Sequence, residues 1–204
     1  MADFAKQTDY PGSPDRGGGE EMLLRMNAGH AYLRDWAYPL LDWKPGMHIL
    51  DVGCGGGAAI MQMLSLSEGS HIDGVDYART SVRTASETCA RELGSRVTIR
   101  LGSVSALPFA DDTYDLVTAV ETTYFWPDMK KALAELHRVL KKGGTAALIN
   151  EGSDPALHTD WPDPDGTLTI YRPEQLTGFL TDAGFRDITV HHGSADIILV
   201  TARK

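Results

Sequence analysis

The sequence predicts an α/β fold in which a doubly wound, seven-stranded sheet is mostly parallel and contains one antiparallel C-terminal strand. Short apolar runs alternate with segments of helical period between residues 45 and 150, which is the pattern of strand–helix units in a parallel sheet. A turn rich in glycine follows the first of these runs. The last two β-rich runs are joined by Gly193-Ser194, a link too short for parallel neighbours. One of these two strands must therefore oppose the others.

The composition indicates one globular domain. The chain has 204 residues, of which 42% are apolar and 23% charged, and this length can bury a core without disulfides. Its two cysteines form no C-x-x-C pair, which disfavours a disulfide framework or a structural zinc site and favours a reducing cytoplasm. No apolar run approaches the ~20 residues of a membrane helix. The net charge of −9 disfavours nucleic acid as the main partner, because proteins that track phosphates usually present a basic face.

The first 44 residues are expected to form an arm and a lid helix ahead of a sheet domain at 45–204. Residues 1–18 contain turns rich in proline and glycine and are predicted to be a mobile arm. Apolar residues then recur at three- and four-residue spacing from Glu20 to Tyr38, which predicts a helix that Pro39 closes.

Strands and helices are expected in alternation after this helix. The strands are predicted at 47–52, 71–75, 96–101, 114–120 and 145–150. The helices between them are predicted at 57–67, 79–94 and 128–141, and the last of these stops at two lysines followed by two glycines. A loop at 153–166 leads to a helix at 173–183 and to strands at 185–192 and 195–202.

Two strand ends carry candidate binding residues, because ligands of open α/β sheets bind outside the carboxyl ends of the strands. The first strand runs into the glycine-rich turn at 51–57, where the backbone can approach a ligand closely. The second strand ends at Asp76, where a carboxylate can accept both hydrogen bonds from a ribose diol. Taken singly, the turn also fits a dinucleotide fingerprint or a plain tight turn, and Asp76 also fits a helix cap. Together they favour a cofactor that contains adenosine.

Four short sequence motifs in a fixed order indicate which cofactor that contains adenosine is bound. ILDVGCGGG at 49–57, GVDYA at 74–78, LPFADDTYDLV at 107–117 and LKKGG at 140–144 resemble class I S-adenosylmethionine-dependent methyltransferases, in the small-molecule branch with a type 11 domain. The resemblance implies a Rossmann-like sheet with a reversed seventh strand, S-adenosyl-L-methionine as cofactor and S-adenosyl-L-homocysteine as product. A dehydrogenase is disfavoured because Asp51 stands two residues before the first glycine, where the dinucleotide fingerprint expects an apolar residue.

The resemblance also implies individual cofactor contacts. Asp51 would orient the methionine ammonium, Asp76 would hold the ribose hydroxyls and Tyr77 would pack against adenine. The other implied contacts are the backbone of Gly53, Cys54 and Gly55 against the methionine portion, with Ser103 and Val104 at the edge of the adenine ring. The family commonly has aspartate where this chain has Ser103, and a hydroxyl accepts more weakly than a carboxylate.

The catalytic candidates are Glu121, Tyr124 and His30. The loop from Glu121 is expected beside the sulfonium methyl, at a position where the family usually has an apolar residue. Glu121 could contact the cofactor's ammonium or a cationic acceptor, act as a general base, or cap a backbone amide. Tyr124, Phe125 and Trp126 could line the acceptor pocket. The alternative is packing beneath the next helix, which applies to Trp126 more than to Tyr124. His30 is an acceptor-side candidate, with an ordinary partly buried histidine as the alternative.

The sequence therefore predicts a methyltransferase that acts on oxygen, nitrogen or sulfur of a small organic acceptor, with no metal and no membrane partner. Two alternatives stay open. One is a protein of this fold that binds the cofactor without methylating, such as a cyclase or regulator, and the other is a nucleic-acid or ribosome methyltransferase. The loop after the fourth strand lacks the Asn/Asp-Pro-Pro-aromatic motif of nucleobase and protein-amide N-methyltransferases. The sequence does not indicate the acceptor or the oligomeric state.

Overall fold

The computed structural model describes residues 10–204, and within them it contains a seven-stranded sheet with helices on both faces. The strands are β1 His48–Val52, β2 His71–Asp76, β3 Val97–Leu101, β4 Tyr114–Val120, β5 Leu140–Asn150, β6 Arg186–His192 and β7 Ile198–Arg203. The helices are α1 Gly19–Gly29, α2 Ala31–Ala37, α3 Ala58–Leu66, α4 Arg79–Thr88, α5 Met129–Val139 and α6 Pro173–Asp182. Short 3₁₀ turns lie at Tyr38–Leu40, Thr123–Phe125 and Pro155–Leu157.

The strand order is β3-β2-β1-β4-β5-β7-β6. Strands β1 to β5 pair in parallel with their neighbours, whereas β7 pairs antiparallel with both β5 and β6. This confirms the predicted doubly wound, mostly parallel sheet and identifies β7 as the reversed strand. The link between β6 and β7 spans 193–197, longer than the predicted two residues, because the Gly193 N–H bonds to the Ile197 carbonyl at 2.9 Å and closes a wider loop.

The core lies on both faces of the sheet, as expected for parallel strands that are apolar on both sides. Leu50 and Val117 belong to the cluster that packs against α5 and α6. Their neighbours Ile49 and Leu116 belong to the cluster that packs against α2, α3 and α4. Covering both faces leaves the carboxyl ends of the strands as the exposed edge where a ligand can enter.

Helix α5 begins at a capping aspartate and ends earlier than its pattern predicts. The Asp128 carboxylate accepts a hydrogen bond from the backbone N–H three residues later at 3.1 Å, which is the preferred N-cap arrangement. The helix ends at Val139 because Leu140 takes up extended backbone and pairs with Tyr114. Strand β5 therefore starts five residues before the predicted strand.

The N-terminal helix that was predicted to be continuous from Glu20 to Tyr38 is two helices. The backbone leaves the helical region at His30 (φ −92°, ψ 12°), directly after Gly29, a residue of low helix propensity. The break lets α1 contact α3 and α4 while α2 contacts β5. The helix predicted at 79–94 likewise ends early, at Thr88, and turns that include Gly94 at φ 75° lead into β3.

The first nine residues of the predicted mobile arm lie outside the described residues. Residues 10–18 form turns that pack against the sheet domain. The Asp15 carboxylate accepts hydrogen bonds from the backbone N–H groups of Arg79 (3.2 Å) and Thr80 (2.7 Å) at the start of α4. The division of the chain at residue 45 stays a prediction. None of the helices within residues 10–204 combines the length and the apolarity that a bilayer crossing requires.

Candidate active site

A cavity of about 510 Å³ opens where β1, β2 and β4 end. The glycine-rich turn after β1 lies along it, and its walls come from α1, α2, the loop after β4 and residues 11–14. Its volume is typical of a small-molecule site, and its position is the one at which open α/β sheets bind ligands. The cavity is therefore the candidate active site.

Glycines allow the turn to lie against two neighbouring segments. A Cβ on Gly53 would be 2.3 Å from Oγ1 of Thr122 in the loop after β4. A Cβ on Gly56 would be 2.5 Å from the Asn27 side chain on α1. Gly53 also has φ 73°, a left-handed conformation that side chains rarely adopt. The turn thus brings the β4 loop and α1 together around the cavity.

The backbone N–H groups of the turn donate to protein acceptors. Those of Gly53 and Cys54 bond to the Val75 carbonyl at 2.8 and 3.1 Å, and that of Gly55 bonds to Oδ2 of Asp76 at 3.0 Å. All three turn residues line the cavity, and their contact with a methionine portion stays a prediction. Because their N–H groups are already bonded, any contact with a ligand would use other backbone atoms of the turn.

The Asp51 carboxyl lies at the end of β1, 2% exposed, and lines the cavity. Thr118 on β4 donates its hydroxyl to Oδ1 at 2.8 Å. Burial raises the pKa of Asp51 to about 6, although the Thr118 hydrogen bond and the positive charge of Arg34 both lower it. A ligand cation beside this carboxylate would favour its charged form.

Asp76 and Tyr77 lie at the end of β2. The Asp76 carboxylate accepts hydrogen bonds from the N–H groups of Gly55 (3.0 Å) and Ala78 (2.9 Å), so it joins the glycine-rich turn to the start of α4. Burial raises the pKa of Asp76, and these two hydrogen bonds oppose the shift. The Tyr77 ring is about half exposed, and its hydroxyl donates to the Gly12 carbonyl. Burial and the Asp76 charge raise the pKa of Tyr77 to about 12.

Ser103 and Val104 follow β3 and also line the cavity. The Ser103 hydroxyl accepts a hydrogen bond from the backbone N–H of Ser105 at 3.2 Å, and its carbonyl accepts one from Ala106 at 3.0 Å. The Val104 side chain is buried. These bonds hold the segment in a turn against the adenine side of the predicted cofactor site.

Glu121, directly after β4, is a buried carboxyl group on the cavity wall. Its backbone is left-handed at φ 58°, and its N–H donates to the Ile149 carbonyl at 2.9 Å. Oε1 accepts the Glu151 backbone N–H at 2.5 Å and the Tyr124 hydroxyl at 3.1 Å. Burial and the neighbouring Glu151 charge raise the pKa of Glu121 to about 8. The carboxyl group is therefore held in a fixed orientation.

The loop after β4 places its aromatic residues differently from the expectation. Tyr124 is 2% exposed and does not line the cavity, because its ring packs edge-on against Trp161 at 5.4 Å. Its hydroxyl bonds to Glu121 and accepts the Gly152 N–H at 2.9 Å. Trp126 lines the cavity and also joins the core cluster around α5, so it agrees with both alternatives that the sequence left open. Tyr124 is therefore placed to orient Glu121 rather than to meet a ligand.

His30 reaches the same end of the cavity from the junction of α1 and α2. Its imidazole, a carboxylate oxygen of Glu121 and one of Glu151 lie within 4.8 Å of one another. Tyr32 donates its hydroxyl to Oε2 of Glu151 at 2.5 Å. Burial lowers the pKa of His30, and the Glu151 charge opposes this shift. Within residues 10–204 this is the one group of such side chains spaced closely enough to share a cation.

Residues 10–16, here called the strap, run across the cavity mouth. The Tyr10 hydroxyl bonds to Oδ1 of Asp163 at 3.0 Å and to the hydroxyl of Thr167 at 3.2 Å, and its ring meets Phe125 edge-on at 5.8 Å. Arg16 forms a salt bridge with Asp165 at 2.9 Å. The strap therefore joins the start of α4, where Asp15 binds, to the loop at 163–167.

Sequence reasoning missed two residues at this site, Glu151 and Arg34. Glu151 follows β5, so the rule that selected the ends of β1, β2 and β4 also applies to it. Arg34 lies on the buried face of α2 beside Leu33 and Ala37. A lone cation on an apolar helix face was the signal that could have identified it.

Comparison with known proteins identifies the fold and its family. Residues 50–148 match the family model described as a methyltransferase domain. An uncharacterized methyltransferase of Bacillus subtilis, YdaC, is 28% identical over 165 residues, which are 81% of this chain and 86% of that protein. Nocamycin O-methyltransferase of Saccharothrix syringae is 35% identical over 124 residues, which are 60% of this chain and 44% of that protein. The match thus spans less than half of the nocamycin enzyme.

Among solved structures, a SAM-dependent methyltransferase from Aquifex aeolicus superposes with a TM-score of 0.76. The two chains share 21% sequence identity, and the match covers 90% of this chain and 97% of the other. At this identity the likeness concerns the fold, and it agrees with the strand order and the reversed β7 described above.

Proposed function

The chain belongs to the class I S-adenosylmethionine-dependent methyltransferases, and from this premise we propose that it transfers a methyl group to a small organic acceptor. The observation that carries the proposal is the pair of buried carboxyl groups, Asp51 and Asp76, at the ends of adjacent strands beside one cavity. Carboxyl groups at the ends of adjacent strands are placed where an open α/β sheet can hold two polar groups of one ligand, here the ammonium and the ribose of the cofactor.

We propose that the donor end of the cavity, formed by Asp51, Asp76 and the glycine-rich turn, holds S-adenosylmethionine. Asp51 would bind the ammonium, Asp76 the ribose hydroxyls, and Tyr77 with Ser103 and Val104 the adenine. When bound, the cofactor supplies an electrophilic methyl on its sulfonium, which calls for no metal at the sulfur. The chain's part is to align the reactants and exclude water, and the strap across the cavity mouth supports both tasks.

The proposed acceptor end is formed by His30 and Glu121, which line the cavity, with the Glu151 carboxylate within 4.8 Å of both. Glu121 is the group we propose as general base for a neutral hydroxyl or amine, because its carboxyl lines the cavity and its orientation is fixed by Tyr124. The acceptor proton would pass to the Glu121 carboxylate, with His30 close enough to share it. A thiolate or phenolate acceptor would not need this step.

A small acceptor suits both the cavity and the charge of the chain. The net charge of −9 gives little support to a nucleic-acid partner. Nocamycin O-methyltransferase is a relative whose name describes transfer to oxygen of a small molecule, and we extend only that class to this chain. Both cysteines are free and buried, which supports our placement of the protein in the cytoplasm.

The test of the donor end is calorimetry with S-adenosylhomocysteine. We expect binding by the wild type and a loss of about 100-fold or more for Asp76→Ala, since two charge-assisted hydrogen bonds are removed. Asp73→Ala is the matched control, because Asp73 lies on the same strand, accepts a hydrogen bond from Tyr114 at 2.7 Å and does not line the cavity. Absence of wild-type binding at millimolar concentration would overturn the proposal.

Turnover tests the acceptor class. Release of S-adenosylhomocysteine is measured with panels of small phenols, alcohols, amines and thiols, and with RNA. Activity on a small molecule supports the proposal. Activity on RNA alone would favour a nucleic-acid methyltransferase, and tight cofactor binding without product on any panel would favour a protein of this fold that does not methylate.

A further inference from the structure

Arg34 is a buried cation on the wall of the cavity. Its residue exposure is 7%, and it reaches the cavity from α2. Nε donates to Oε1 of Gln62 at 3.0 Å, and Nη2 donates to the Asn27 carbonyl at 3.0 Å. Both acceptors are neutral, and within the described part of the chain no carboxylate forms a salt bridge with this guanidinium.

This arrangement leaves N–H donors unused and leaves the guanidinium without a hydrogen-bonded counter-charge. A guanidinium has five N–H donors, and two contacts use part of that set. Burying a charge without a counter-charge is costly, so a buried arginine usually faces an anion. Arg34 borders a cavity that is open to ligands, and a bound anion would supply the missing partner.

A carboxylate on the same cavity wall, Asp51, indicates which ligand fits. Arg34 acts electrostatically on Asp51, and both side chains border the same cavity without forming a salt bridge with each other. The cavity wall therefore presents both a carboxylate held by Thr118 and a guanidinium held by Gln62 and the Asn27 carbonyl. An α-amino acid carries the complementary pair, an ammonium and a carboxylate on one carbon.

We propose that Arg34 binds the α-carboxylate of the methyl donor's amino-acid portion, while Asp51 binds its ammonium. Planar guanidinium and carboxylate groups can form two parallel hydrogen bonds, which adds geometric selectivity to the charge attraction. The inference rests on the proposed function, because it concerns the same cofactor. It adds a selectivity rule: the donor end accepts nucleosides that carry an intact amino acid and binds decarboxylated ones weakly.

A purely structural role makes a different prediction. Arg34 links α2 to α3 through Gln62, which is itself held by Asp35 at 2.8 Å, and to the end of α1 through Asn27. If that linkage were its whole role, loss of Arg34 would weaken all nucleoside ligands equally. A carboxylate contact would weaken only ligands that carry the carboxylate.

The experiment compares two ligands by calorimetry on the full chain. S-adenosylhomocysteine carries the amino acid, and 5′-methylthioadenosine keeps the adenosine and lacks it. For Arg34→Met we expect S-adenosylhomocysteine to bind about 10- to 100-fold more weakly, with 5′-methylthioadenosine changed less than about threefold. Arg83→Met is the matched control, because Arg83 is an exposed arginine paired with Glu20 on the protein surface. It should change neither affinity.

A second comparison needs no substitution and holds even if Arg34→Met fails to fold. The wild type should bind S-adenosylhomocysteine about 10- to 100-fold more tightly than its decarboxylated analogue, which keeps the amine. Equal affinity for these two ligands would overturn the inference and leave the proposed function standing, as would an equal loss for both nucleosides in folded Arg34→Met. Failure of the wild type to bind any adenosine ligand would overturn both.

Discussion

The donor and acceptor ends of the cavity are built from the chain in different ways. Asp51 and Asp76 end two consecutive strands that pair directly, so one strand–helix–strand unit sets their relation. His30, Glu121 and Glu151 come from a helix junction and from the ends of β4 and β5. The donor end therefore depends on a local motif, and the acceptor end depends on how distant segments meet.

The two proposed ends also differ in how far the matched family region covers them. The matched family region, residues 50–148, includes Asp51, Asp76 and Glu121 but neither His30 nor Glu151. Two of the three acceptor-end side chains thus lie in segments outside the family pattern. If the two ends are separable, substitutions at one end should leave the function of the other intact.

The largest difference between the effect on turnover and the effect on cofactor affinity is expected for Glu121→Gln. The amide can still accept the hydrogen bonds from Tyr124 and from the Glu151 backbone, but it cannot take a proton. With a hydroxyl or amine acceptor we expect kcat to fall about 100- to 10,000-fold, as for loss of a general base. Affinity for S-adenosylhomocysteine should change less than about threefold, because the cofactor contacts lie at the donor end.

The matched control for this prediction is Glu20→Gln, which removes an exposed carboxylate that pairs with Arg83. It should leave both kcat and the affinity for S-adenosylhomocysteine unchanged. An unaltered kcat in Glu121→Gln would rule out the proton-transfer role. A large loss of cofactor affinity would show instead that the two ends are coupled.

An intermediate effect is expected for Asp51→Asn. The substitution should weaken cofactor binding and raise the stability of the ligand-free protein. Calorimetry should show S-adenosylhomocysteine bound about 10- to 100-fold more weakly, because the charged partner of the ammonium is lost. At pH 7.5 the free energy of unfolding should rise by about 1–3 kcal/mol, since the variant no longer buries a carboxylate.

The pH dependence checks the sign of this stability change. Burial raises the pKa of Asp51 from 3.8 to about 6, so its favourable contribution is complete below pH 3.8 and is lost as the pH rises through 6. Urea unfolding of the ligand-free proteins should therefore separate Asp51→Asn from the wild type at pH 7.5 and bring them together near pH 4. An equal difference at both pH values would mean that the carboxyl is not the cause.

The smallest effect is expected for Tyr10→Phe, which loosens the strap over both ends. The substitution removes hydrogen bonds to Asp163 and Thr167 and keeps the ring contact with Phe125. We expect S-adenosylhomocysteine to dissociate about two- to fivefold faster in stopped-flow measurements, because the two lost hydrogen bonds hold the strap and do not contact the ligand itself. Tyr171→Phe is the control, since Tyr171 packs on Phe179 and does not line the cavity. Equal dissociation rates in Tyr10→Phe and the wild type would mean that the strap does not retain the ligand.

The sequence alone predicted the sheet well, and it selected Asp51 and Asp76, which line one cavity. Both results have a physical reason. Period, glycine and proline signals are local, and the relation between Asp51 and Asp76 follows from one strand–helix–strand unit. The first and last residues of the helices and strands were predicted less accurately. Whether residues 140–144 end a helix or begin β5 depends on pairing between Leu140 and Tyr114, which local signals do not report.

The residues of the proposed acceptor end could be predicted from the sequence only in part. Glu121 was identified because it departs from an apolar pattern, whereas the burial of Tyr124 depends on its packing against Trp161 from a distant loop. Glu151 was missed although it follows a strand. Arg34 was missed because its burial needs α3 and the end of α1 around it.

The sequence by itself determined the order of elements, the reversed strand near the C-terminus and the turn from Asp51 onward. These depend on interactions between residues that are close along the chain. The tertiary structure alone decided that the helix breaks at His30 and that the N–H groups of Gly53, Cys54 and Gly55 are already bonded. It also decided that Arg34 borders the cavity and that Glu151 lies beside His30 and Glu121. Each of these depends on burial and electrostatics between segments far apart in sequence, which no local pattern encodes.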